Sequence, residues 1–175
     1  KKYDFSIYSI YDISFDSNWL IEGGIRYDFS HINAYKYYRT SLWEARNYDE
    51  LFPEIVVEDL GLNTLTNPKF DFNNFSSNLG TRFTINKGEN IYFNYSISSR
   101  KPNPSELFSE GLHHSSARIE IGDLSFNSEV GHNISLTYNF ANEKSNLTVN
   151  SFANYVNDFI YIIPVDIMPT IAGVF

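Results

Sequence analysis

The chain has 175 residues, 42% of them apolar and 17% aromatic, enough for one ordinary folded domain and unlike a disordered segment. A formal charge of -8 with no basic run argues against a nucleic-acid partner, since phosphate binding needs clustered Lys and Arg. The absence of cysteine excludes disulfides and thiol chemistry, and no apolar run approaches the roughly 18 to 20 residues of a transmembrane helix.

Period-two alternation runs through the whole chain and predicts six long strands. The first places Tyr3, Phe5, Ile7, Tyr11, Ile13 and Phe15 against Asp4, Ser6, Tyr8, Asp12 and Ser14. The second places Trp19, Ile21, Ile25, Tyr27 and Phe29 against Glu22, Arg26 and Asp28. A third sets Leu79, Phe83 and Ile85 against Asn78, Arg82 and Thr84, and a fourth sets Ile91, Phe93, Tyr95 and Ile97 against Asn94, Ser96, Ser98 and Arg100. In "SEVGHNISLTYNF" a fifth opposes Val130, Ile134, Leu136, Tyr138 and Phe140 to Glu129, Asn133, Ser135, Thr137 and Asn139. The sixth runs from Leu147 to Tyr161.

Three connections are tight turns, "DSN", "NKGEN" and "ANEKS", whereas Ser30 to Asn74 and Lys101 to Phe126 are long links that emerge at the opposite end. Several runs reach the roughly 9 to 11 residues with which a tilted strand crosses a bilayer, and aromatics such as Phe15, Trp19, Phe29, Phe140 and Tyr155 stand near their ends. The expected fold is all-β: an antiparallel meander of about six transmembrane strands, with residues 1–175 forming part of a larger barrel, since the smallest such barrels need about eight. The opening "KKYDF", without Met or apolar leader, fits an internal piece. A soluble β-sandwich, whose strands also alternate, is the other reading of the pattern.

On the polar face, Glu22, Arg26, Asp28, Arg82, Arg100 and Glu129 are expected to line a lumen, because charges in a dry core would be prohibitive unless paired. The first long link carries Tyr37, Tyr38, Arg39 and Trp43, suited to contacting a substrate or to packing the loop onto its neighbours. The second carries adjacent histidines, His113 and His114, which share one ion only if the loop bends; one of them with Glu110, Glu120 or His31 offers imidazole and carboxylate ligands for zinc, or both stand as ordinary loop residues. No catalytic motif is present, and no enzyme activity or intrinsic cofactor is expected.

The order "GIRYDF" (Gly24 to Phe29), "SSNLG" (Ser76 to Gly80), Arg100-x-Pro102, Glu106-Leu107-Phe108, Ser128-Glu129 and "NDFI" (Asn157 to Ile160) resembles the late barrel of TonB-dependent outer-membrane receptors. Within that family, "GLHHSSARIEIGD" is similar to a pattern found in receptors that include zinc-uptake members, matching Gly111, His113, Ser115, Ser116, Glu120 and Gly122. The resemblance implies a barrel of about 22 strands in a Gram-negative outer membrane. It also implies an N-terminal plug domain, energy delivered through TonB, and import of a scarce nutrient such as zinc or an iron chelate (a siderophore). A passive porin or adhesin barrel is the membrane alternative, and a carbohydrate-binding β-sandwich the soluble one.

Overall fold

The structure, a computed structural model, describes the backbone of residues 1–113 and 118–163 and the side chains of 1–111 and 119–163. In chain order the elements begin with β1 (Lys2–Ser14), β2 (Trp19–Asn33), β3 (Lys36–Arg39), α1 (Thr40–Ala45), α2 (Tyr48–Leu51) and a 3-10 turn at Pro53–Ile55. They continue with β4 (Val56–Asp59), β5 (Asn63–Thr66), β6 (Lys69–Asn86), β7 (Glu89–Arg100), α3 (Pro104–Phe108), β8 (Glu110–His113), β9 (Arg118–Ile121), β10 (Glu129–Ala141) and β11 (Asn146–Asn157).

The long strands form one six-stranded sheet in the order β1-β2-β6-β7-β10-β11, every neighbour antiparallel. The small β3-β5-β4 sheet lies within the first long link, and the β8-β9 hairpin within the second. Turn chemistry closes the other end. The Asp16 carboxylate accepts the Asn18 and Trp19 amides at 2.7 and 2.8 Å, and the Asn142 side chain accepts those of Lys144 and Ser145. Gly88 takes a φ of 87°, which an L side chain rarely adopts, in the turn between β6 and β7.

Directly opposed residues share a sheet face, so register tests the expected alternation. Glu22 stands between Asp12 and Gly80, Arg26 between Tyr8 and Ser76, and Asp28 between Ser6 and Asn74. Arg82 stands between Leu20 and Tyr92, and Arg100 opposes Glu129. All six charged residues expected at the lumen therefore lie on one polar face. The other face exposes Ile7, Ile13, Ile25, Leu79, Leu136 and Val149, an apolar surface far larger than a soluble monomer leaves uncovered.

Three strand boundaries differ from expectation, the first being that of β2, which runs past Phe29 to Asn33. β6 begins at Lys69, well before Leu79, because the alternation inverts at the loop end: Phe70 and Phe72 share the face of Asn74 and Ser76, while Asp71 points the other way. The sixth strand stops at Asn157 rather than Tyr161, since Asp158 takes a φ of 52° that breaks the extended run.

Candidate functional site

The two long links pack into one canopy at the loop end of the sheet. Tyr38, Trp43, Tyr48 and Ile55 from the first form a buried cluster with Leu124 from the second. The rings pack in sequence, Tyr38 tilted on Trp43 at 5.4 Å, then edge-on from Trp43 to Tyr48 at 5.2 Å and from Tyr48 to Phe52 at 5.4 Å between centroids. A second cluster seats Leu107 of α3, 1% exposed, against Ile32 and Phe72 on the polar-face side of β2 and β6. This explains the inversion in β6, whose apolar residues turn inward where a helix covers them. α3 thus lies over the top of the polar face.

Tyr48 joins the links. Its hydroxyl donates to Asp123 at 2.7 Å and accepts from Arg46 at 3.0 Å and from the Leu124 amide at 3.1 Å. Gly122 beside it admits α3 at close range, since a Cβ there would lie 2.5 Å from the Glu106 carbonyl oxygen. Burial would raise the pKa of Asp123, but hydrogen bonds from Ser125 and Tyr48 hold it below the usual carboxylate range. Burial, then the bond to Asp123, raises that of Tyr48.

Both shifts act on stability. Asp123 contributes above its unfolded value of about 3.9, and that contribution is lost as pH falls through the lower folded value. Tyr48 contributes below about 10, and its contribution is lost as pH rises through the higher folded value. Hydrogen exchange at Leu124, corrected for its intrinsic pH dependence, is therefore expected to be slowest between about pH 4 and pH 10. The alkaline limb should disappear in Tyr48→Phe.

Below the canopy, the polar face carries matched charges. Arg26 grips Asp28 through Nε and Nη2, at 2.8 and 2.7 Å, and Ser6 also donates to Asp28. Lys101 reaches across the sheet to Ser30 at 2.6 Å and to Asp4. Arg100 holds Glu106 through two contacts of 3.0 and 3.1 Å and also bonds Glu129, whose other oxygen accepts the Ile160 amide at 2.6 Å. Glu106 in turn caps α3 by accepting the Asn103 amide at 2.7 Å. The Arg-x-Pro and Glu-Leu-Phe elements are thus one device: Arg100 fixes the helix that Leu107 seats. A cavity of about 480 Å³ beneath is lined by Asp4, Ser6, Arg26, Asp28, Arg100 and Lys101, among others.

The proposed contact residues divide by strand alternation. Tyr37 is 60% exposed and the Arg39 side chain 57%, on one face of β3. Tyr38 and Trp43, 6% and 3% exposed, instead pack the canopy, so their place is in its core and not on an open surface.

The metal set is dispersed where it can be followed. His31 Nδ1 lies 2.6 Å from Asp71 and its ring stacks on Tyr3, on the sheet face opposite Glu22, Arg26 and Asp28. The backbone of His113 pairs with Arg118, two rungs from the Gly111 and Glu120 pair. His114, with Ser115 and Ser116, lies outside the described residues. Among the described residues no group of three or more His, Asp or Glu side chains could hold a metal ion. Sequence reasoning missed Tyr48, Lys101 and Asp123, whose partners are 71 to 97 residues away, and offered Glu110 only as a metal ligand, whereas it bonds Arg39; only the Asn103-x-x-Glu106 capping box was a local signal.

The family model described as TonB dependent receptor-like, beta-barrel, matches residues 1–173. No curated protein matches the chain. The fold is similar to a solved structure of a double mutant of the Serratia marcescens hemophore receptor HasR in complex with its hemophore HasA and heme. The TM-score is 0.60 at 16% identity, over 90% of this chain and 26% of that one. The chain therefore spans 26% of that receptor's length, as a six-stranded piece of a larger barrel. With its two-faced meander and its model match over nearly every residue, the chain belongs to the TonB-dependent receptor-like β-barrel family.

Proposed function

We propose that the chain is part of an outer-membrane receptor of a Gram-negative bacterium that imports a scarce nutrient, a metal ion such as zinc or a metal chelate such as a siderophore, without catalytic chemistry. The observation that carries the reading is the two-faced sheet under a folded canopy. Its apolar face meets outer-membrane lipid, its charged face meets the receptor's own N-terminal plug domain, and TonB supplies the energy through that plug. Exposed Tyr37 and Arg39 make the first contact with an incoming chelate, stacking on it and bonding its anionic groups. For a free metal, His113, His114 and Glu120 are the capture ligands, while His31 is engaged by Asp71.

Growth of strains lacking the full receptor, or lacking TonB, tests this with free zinc, a ferric siderophore or heme as the sole source of its metal. Loss of growth on one source in both strains is expected. Growth that depends on the receptor but not on TonB indicates a passive pore, and growth unchanged on every source defeats the import reading. His113→Ala and His114→Ala at matched surface abundance should lower zinc uptake; undiminished uptake in both removes the histidines from capture.

A further inference from the structure

Between the two links lies a cavity of about 10 Å³, lined by Tyr38, Leu42, Arg46, Tyr48, Ser109, Glu110, Ile121 and Gly122. Two of its lining residues carry buried polar atoms without a hydrogen-bond partner among the described residues, the Tyr38 hydroxyl and Glu110 Oε2. Their surroundings explain why. Glu110 Oε1 accepts the Arg39 amide at 3.3 Å and Arg39 Nε at 3.1 Å, which leaves Oε2 turned inward. Lys36 Nζ lies 3.8 Å from Oε2, too far for a hydrogen bond, and donates instead to the Phe108 carbonyl while sitting 4.5 Å above the Tyr38 ring. The Glu110 side chain is only 8% exposed, and Tyr38 is 6% exposed.

A buried hydroxyl and a buried carboxylate oxygen are each costly to leave unpaired, and native proteins seldom do so. The space suits one molecule of water size, since a cavity of roughly 10 to 15 Å³ on this measure is the least that holds a water. A metal cation is disfavoured, because Lys36 and Arg39 already flank the one carboxylate and Arg46 lines the same cavity. We infer that this cavity binds one ordered water, which bridges the Tyr38 hydroxyl to Glu110 Oε2 and joins the two loops. The water completes a chain from the buried aromatic cluster through Glu110 to Arg39. It is part of the bonding that fixes this guanidinium beside Tyr37. The site itself does not depend on what the receptor imports.

The sign of one substitution separates a wet cavity from a dry one. If the water is present, Tyr38→Phe removes a made hydrogen bond, and exchange of the amides of residues 36–46 in the full receptor should quicken by roughly three- to ten-fold. If the cavity is dry, the same change removes an unpaired buried hydroxyl, and exchange should slow or stay the same, which overturns the inference. A high-resolution crystal structure of the unsubstituted full receptor gives a second reading. A solvent peak within about 3.2 Å of both atoms supports the bridge. An empty cavity, or Lys36 Nζ moved to bond Oε2 directly, refutes it.

Discussion

Leu136→Arg is expected to abolish assembly of the full receptor in the outer membrane, while Ser135→Arg one residue earlier is tolerated. Leu136 pairs with Phe93 and Ser151, and half of its surface is open on the apolar face; Ser135 pairs with Asn94 and Phe152 on the polar one. Arginine on the lipid face costs about 2–4 kcal/mol near the midplane, whereas a lumen position hydrates it. The yield of folded, heat-modifiable receptor in outer-membrane fractions measures the difference. Equal yields from the two variants would reverse the assignment of faces.

Leu107→Ala should release α3 without disturbing the sheet. A fully buried leucine truncated to alanine costs about 2–5 kcal/mol, and α3 spans only Pro104–Phe108, too short to persist without its seat on Ile32 and Phe72. Limited proteolysis of the receptor in detergent should then cut between Lys101 and Phe126 at least ten times faster, with the barrel still resistant, by roughly the ratio that 1.4 kcal/mol represents. Leu107→Met, which keeps the volume, should retain most of the protection. If alanine leaves cleavage unchanged, Arg100 and Glu106 alone hold the helix.

How much of this could be read from the sequence depended on the range of the forces involved. Alternation is written into adjacent residues, so β1, β7 and β10 lie within two residues of where the periodicity placed them, and all six charges expected at a lumen share one polar face. The rule failed above the sheet's apolar band. There Phe70, Phe72 and Ile32 face inward because a helix thirty or more residues away covers them, an event with no local trace. For the same reason the aromatic loop was ambiguous. Tyr37 and Tyr38 are chemically identical neighbours, and only the pairing of β3 with β5, which turns one outward and the other into a cluster with Leu124, tells them apart. The Arg100 motif was visible as a pattern, but its work, holding Glu106 and Glu129 together, needed the fold.

The neighbouring placement of β2 and β6 bears on how such receptors diversify. Their register runs unbroken from Trp19 and Phe83 to Asn33 and Lys69 although residues 34–68 intervene. Closing a flexible connector of twice the length adds only about 0.6 kcal/mol, so insertions there need not strain the wall below. The tolerance is uneven along the link. Residues 46–55 are committed to the other loop through Tyr48 and Ile55, whereas the tip at Leu60 to Leu62, with Gly61 at a φ of 80° and Leu62 86% exposed, is tied back by the Thr40 amide on the Leu62 carbonyl. New loop surface can accumulate at that tip, one residue at a time, while strand pairing below stays constant.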